Sequence, residues 1–249
     1  ISRPAETSFP TRDDQLMEVH KPKFVVGLAE EILVIVVSIC LALLAERTVE
    51  HYQHREEAKG VTKRMIEELL RDSSDLAFNI QMHEKALHAE NALTQWSRHK
   101  VELSQDSLRI FASQSLIFTY FASNTAEIEA LKGSGKLYLI EDPQLLSNIL
   151  KHYDRYADFK LFTDYALTLS SRLADILRDH AALDMKLTRE HPDQFFQFDV
   201  NDLEKRSRGN RSLENLLQQK TWIDWWIVER SKDATVRLQK VIAALRHEE

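Results

Sequence analysis

"FVVGLAEEILVIVVSICLALLA", residues 24–45, decides the fold class of this chain. It holds about 22 residues, and at 1.5 Å per residue a helix of that length crosses the hydrocarbon of a bilayer. Glu30 and Glu31 interrupt it, and the unbroken part, Ile32 to Ala45, reaches about 21 Å on its own. A secretory signal fits poorly. No small-x-small cleavage site precedes a mature start, and "ERTVEHYQHREEAKG" (46–60) continues as helix. The expectation is an uncleaved transmembrane helix over 24–45. A carboxylate inside hydrocarbon costs a few kcal/mol. Glu30 and Glu31 therefore sit near the interface, or one of them meets a partner's Arg, Lys or backbone donor. Both are candidate partner contacts, with Ser38 as the small residue of the span.

Arg12, Lys21 and Lys23 precede the span, and Arg47 and Arg55 follow it, with Lys59, Lys63 and Arg64 further on. The nearest charges lean towards an inside N-terminus, and a long C-terminal domain translocates largely regardless of charge. The expected place is a bacterial inner membrane, with the bulk of the chain in the periplasm.

Outward from the span, the 249 residues are 43% hydrophobic and 29% charged, with only five glycines and five prolines. So few turn residues favour long helices over strands. A net charge of −6 argues against nucleic acid as the main partner. Cys40 is the one cysteine, which excludes an internal disulfide and a cysteine metal cluster.

Pro4, Pro10 and Pro22 mark residues 1–23 as an extended tail. Past the span, Val61, Met65, Ile66, Leu69 and Leu70 keep helical spacing, and Leu76, Ile80, Leu87, Leu93 and Trp96 continue that helix or begin another. A mostly apolar helix is expected over 104–123. Asn124 or Thr125 with Glu127 resembles a capping box for a short helix. Asp142 before Pro143 launches a long helix through about residue 187. "REHPDQFFQFD" (189–199) breaks it, and Ser212 opens a last helix towards Glu249. The result is all-α: residues 46–249 form a bundle of long antiparallel helices fed by the membrane helix.

"ALKGSGKLYLI" (130–140) has the look of a phosphate loop. The Walker pattern needs a glycine where Ala130 stands and Ser or Thr where Leu137 stands. Gly133 and Gly135 instead suit the left-handed end of a helix.

Two stretches carry a resemblance: "EILVIVVSICLAL" (31–43) and "EALKGSGKLYLIEDPQLLSNILKHYDRY" (129–156). Together they resemble an uncharacterised family of bacterial single-pass membrane proteins with a "GEI…LV…GI…IAL" anchor and a later "L-K-x-S-G-x-L-x-x-I" segment. The chain departs from that pattern at Glu30 and Ser38, where the family usually has glycine, and over 46–49. The resemblance implies an anchor and a helical domain, and it implies no activity.

Chemistry is sparse. His51 and His54 share a helical face but lack an H-E-x-x-H or a Glu-x-x-His pair, and a solvated face is the simpler reading. Neither His83 with His88 nor the carboxylate pairs Glu56–Glu57 and Glu67–Glu68 make a site, and no G-x-S-x-G elbow occurs. "KRSRGNR" (205–211) reads as a solvated basic turn. "TWIDWWIVER" (221–230) sets Trp222, Trp225 and Trp226 on one helix face, which suits a bundle core, a membrane belt or a partner contact.

The function expected is non-catalytic: an accessory or scaffolding subunit of a larger bacterial membrane complex, with no cofactor and no metal. Respiratory and photosynthetic assemblies are plausible hosts. Its partners would be other membrane subunits and lipid, with homo-oligomers allowed, and neither nucleic acid nor nucleotide. The alternative is a membrane-anchored sensor whose helical bundle binds a ligand.

Overall fold

The computed structural model describes residues 23–177, 181–183, 196–198 and 200–248. Residues 1–22 of the tail expected over 1–23 and most of the break over 189–199 lie outside them, while Lys23 already belongs to the first helix. The chain divides into two compact units, residues 1–53 and 54–249. Helix α1 (Lys23–Ser97) contributes to both; α2 is Gln105–Gln114, α3 Ala126–Ser134, α4 Pro143–Asp154 and α5 Ala157–Leu177. Two three-residue strands, β1 (Ala181–Leu183) and β2 (Phe196–Phe198), pair antiparallel with Ala181 opposite Phe198. Then come α6 (Val200–Ser207) and α7 (Arg211–Glu248). The fold is all-α apart from this small ribbon.

In the first unit, α1 shows ten large aliphatic side chains between Ile32 and Leu44, each 48–64% exposed. It holds the one stretch among the described residues that is long and apolar enough to cross a membrane.

The second unit is built on seams of seven-residue repeat. Along α1, Met65, Leu69, Asp72, Leu76, Asn79, His83, Ala86, Glu90, Leu93 and Ser97 alternate steps of four and three, and all are buried. Along α7, the same alternation runs through Leu213, Leu217, Lys220, Asp224, Ile227, Ser231, Ala234, Leu238, Val241 and Leu245. Phe159, Thr163, Ala166, Ser170, Leu173 and Leu177 repeat it on α5. A step averaging 3.5 residues keeps one stripe facing its partner, as in coiled coils. Helices α1 and α7 are antiparallel, since Arg98 pairs with Glu214, Glu90 with Lys220 and Glu84 with Lys232. Met65, Leu69 and Leu76 share one core cluster with Ala234, Leu238 and Leu245. Leu93 and Trp96 share another with Leu213, Leu217, Leu173 and Leu203. Helix α5 packs along α7.

Several expected boundaries move. α1 continues through residue 96 rather than restarting. The helix expected over 104–123 stops at Gln114, and Ile117, Thr119 and Phe121 instead turn side chains onto α1 and α5. The long helix expected from Pro143 breaks at Arg155–Tyr156, where tighter i→i+3 bonds (Tyr156 N to Tyr153 O, 3.0 Å; Phe159 N to Tyr156 O, 3.1 Å) replace the α pattern. That bend places Tyr156 between Phe121 and Phe159. Asp142 does cap α4, its Oδ1 accepting from Gln144 N at 2.7 Å. The last helix opens one residue early, because Asn210 rather than Ser212 is the cap, with Oδ1 accepting from Ser212 N and Leu213 N.

The capping box at α3 is replaced by a tertiary one. Thr125 makes no side-chain cap bond. Glu127 N donates instead to the Glu68 carboxylate on α1, at 3.1 Å and 3.2 Å. Glu68 is accordingly buried, at 7% exposure. At the other end Gly135 has φ +70°, and Lys136 N donates to Leu131 O, which ends α3 as a left-handed cap. The Lys136 ammonium reaches Glu57 at 2.5 Å rather than any loop of its own. In the "KRSRGNR" turn, Gly209 has φ +76°, Arg206 pairs with Asp202, and Arg208 with Glu204 and Glu102.

Candidate functional site

Midway along the seam of α1 against α7, four charged or titratable side chains come together, each 0% exposed: His83, Glu90, Lys220 and Asp224. Lys220 and Asp224 lie one turn apart on α7, and His83 and Glu90 seven residues apart on α1, so both pairs project into the same seam. The Lys220 ammonium donates to Glu90 Oε1 (2.9 Å), Asp224 Oδ2 (2.7 Å) and the carbonyl of Ile117 (2.8 Å). His83 Nδ1 lies 3.1 Å from Asp224 Oδ1, and the Thr119 hydroxyl bridges His83 Nε2 to Asn79. The segment after α2 thus seals a network laid down by the two long helices.

Burial raises the Asp224 carboxyl, but the Lys220 ammonium and the His83 ring more than offset it, and its pKa falls to about 2. Glu90 moves the other way. Burial and the adjacent Asp224 charge push it well above the carboxylate range, against the opposing pull of Lys220. Lys220 is pushed down by burial and up more strongly by both acids, ending above its ordinary value. Two buried carboxyls thus share the one ammonium, Asp224 held towards its ionised form and Glu90 towards its protonated form. A buried charge without such compensation is strongly destabilising. The four charged or titratable members are 0% exposed, and a half-repeat shift of α1 on α7 would leave Lys220 opposite Ala86 or Leu93.

Further buried polar groups lie on α1 and around α4. Asp72, fully buried, accepts at Oδ1 from Asn124 N (2.8 Å) and Asn124 Nδ2 (2.7 Å). Tyr156 OH lies 2.5 Å from His152 Nε2. Burial, then the neighbouring Arg237 charge, lower the His152 pKa to about 4, so the ring is neutral at pH 7.

The surface candidate is aromatic. Trp226 is half-buried, stacked on Phe162 of α5 at 5.4 Å with 8° between planes, and the Arg230 guanidinium lies 4.5 Å from its ring. Trp222 and Trp225 touch its edges at 6.1 Å and 5.9 Å and remain 54% and 50% exposed. Tyr165 and Leu161 of α5 are exposed as well. The indoles are therefore a surface face with one anchoring member, not the core of the bundle.

Of the other predicted residues, Glu30, Glu31 and Ser38 are exposed on α1, and the Ser38 hydroxyl donates back to Val34 O at 2.7 Å. Glu30, Glu31 and Ser38 belong to the first unit and the tryptophans to the second. His51 and His54 are exposed, and among the described residues no group of three His, Cys, Asp or Glu is placed to hold a metal. The buried network was missed in the sequence. Its signal was there: Lys220 and Asp224 interrupt an otherwise apolar run of alternating four- and three-residue steps. Comparison with protein-family models, characterised proteins and solved structures finds no match.

Proposed function

We propose that this protein is a single-pass, membrane-anchored scaffolding or accessory subunit that works through protein contacts and not through catalysis. The observation that carries the reading is the pair Trp222 and Trp225, half exposed yet held in place by Trp226 and Phe162. Exposed indoles on a rigid helix supply large contact area at low entropic cost, which is why tryptophan is enriched at interface hot spots. The exposed aliphatic stretch Ile32–Leu44 supports the anchor, which we place in a bacterial inner membrane with the second unit on the periplasmic side. Its natural partners are then other membrane subunits.

Two measurements test this. Alkaline carbonate should leave the parent in the membrane pellet, and release into the supernatant would remove the anchor. Co-purification in mild detergent should lose its main partner in the double variant Trp222→Ala, Trp225→Ala while the melting temperature holds. Unchanged co-purification in that variant would sink the indole face as a contact, and Glu31→Gln reports separately on a contact inside the membrane.

A further inference from the structure

Between α4 and α7 lies a cavity of about 290 Å³ whose lining includes four cations, Lys151, Arg155, Arg237 and Lys240, and no carboxylate. Several other cations of the bundle are matched, Arg64 by Glu127, Arg98 by Glu214 and Lys232 by Glu84. Among the described residues none of the four around the cavity forms an ion pair, and Arg237 Nε is buried without a hydrogen-bond partner. The C-terminal end of α4 favours Lys151 and Arg155 through the helix dipole. It does not account for Arg237 and Lys240, which sit within α7. Burial and the nearby Arg155 charge lower the Arg237 pKa, against the opposing pull of Asp233.

A second observation is independent of these charges. His152 lines the same cavity and is 1% exposed. Its Nε2 is taken by Tyr156, and its Nδ1 has no partner. Buried polar atoms are normally satisfied, and one left open beside a cavity points to a group that completes it. The remaining wall is apolar, with Leu145 and Val241 both buried.

We propose that this cavity binds a phosphate monoester carried on a small apolar group, with the phosphate among Arg155, Arg237 and Lys240 and the apolar group against Leu145 and Val241. Guanidinium forks match phosphate oxygens geometrically, and a dianion offsets more of the cluster than a carboxylate does. The volume lies at the small end of ligand sites, which run roughly 300–1,000 Å³. It suits a phosphate with a ring or short chain. This goes beyond the scaffold reading, since it needs neither the membrane nor a protein partner.

The test uses the full chain in neutral detergent, with calorimetry and thermal unfolding in phenyl phosphate, inorganic phosphate and benzoate at matched ionic strength. Phenyl phosphate should raise the melting temperature and bind more tightly than inorganic phosphate, and about tenfold more tightly than benzoate. Arg237→Gln should weaken it about tenfold or more. Lys240→Gln, at the exposed rim, should weaken it several-fold with an unchanged melting temperature in the absence of ligand, so the result does not hinge on the fold of the Arg237 variant. Absence of both heat and thermal shift up to about 10 mM phenyl phosphate would overturn the proposal, as would full affinity in both variants. Benzoate binding as tightly as phenyl phosphate would overturn the phosphate assignment.

Discussion

Ile32, Leu33, Val34, Ile35 and Leu41 lie in the early part of α1 and are each more than half exposed, whereas Met65, Leu69 and Leu76, further along the same helix, are 0% exposed. Both stretches are rich in aliphatic residues, and both are helical. The difference lies in arrangement. The early stretch is apolar on every side, so no rotation of the helix could hide it behind a single neighbour. The later stretch gathers its apolar residues on one seam and leaves Glu67, Arg71 and Asp75 to water. An all-round apolar stretch and a one-sided seam suit different surroundings, and one helix supplies each in turn.

The largest expected effect comes from the charges in the seam. Lys220→Met removes the buried ammonium that Asp224 and Glu90 share, and breaking a buried pair in this way costs about 3–5 kcal/mol. Chemical denaturation in detergent reads this directly. Glu90→Gln should be milder by comparison, because burial and Asp224 already push that carboxyl towards its neutral form. Equal losses in the two variants would contradict that upward shift of Glu90.

The contrast along α1 can be tested with one kind of change. Leu69→Ala removes a fully buried side chain and should cost about 2–5 kcal/mol. Leu41→Ala should leave the unfolding of the bundle unaltered. A comparable loss at Leu41 would mean that the early stretch is packed against protein.

Acid should act through His152. Its folded pKa, about 4, lies below the ordinary value of 6.5, so folding disfavours the protonated ring. The stability this group supports is complete above pH 6.5 and is lost as pH falls towards 4. The loss is on the order of 3 kcal/mol across that window, and His152→Gln should flatten this part of the stability profile. Parallel profiles for parent and variant would show that the ring titrates normally.

The smallest contrast separates two glycines two residues apart. Gly135 has φ +70°, where a Cβ costs about 1–2 kcal/mol. Gly133 lies inside α3 with open space where a Cβ would stand. Gly135→Ala should therefore lower the melting temperature, while Gly133→Ala should hold or raise it. Lys136→Ala, which removes only an exposed ion pair with Glu57, should leave it in place.

Local chemistry was readable from the chain itself. An unbroken aliphatic run announced the exposed stretch of α1, scarce glycine and proline announced helices, and Asp142–Pro143 and Gly135 marked the ends of two of them, because each of these depends on residues adjacent in sequence. The ribbon of β1 and β2 was not readable, since three residues are too few for a periodic signal. The capping of α3 by Glu68, the bend at Arg155–Tyr156, the meeting of His83 and Glu90 with Lys220 and Asp224, and the convergence of four unpaired cations between α4 and α7 all join residues far apart in the chain or depend on what does. Sequence assigns each of these side chains a face of its own helix. Only the alignment of one helix on another decides whether a lysine there meets water, an acid or an empty cavity.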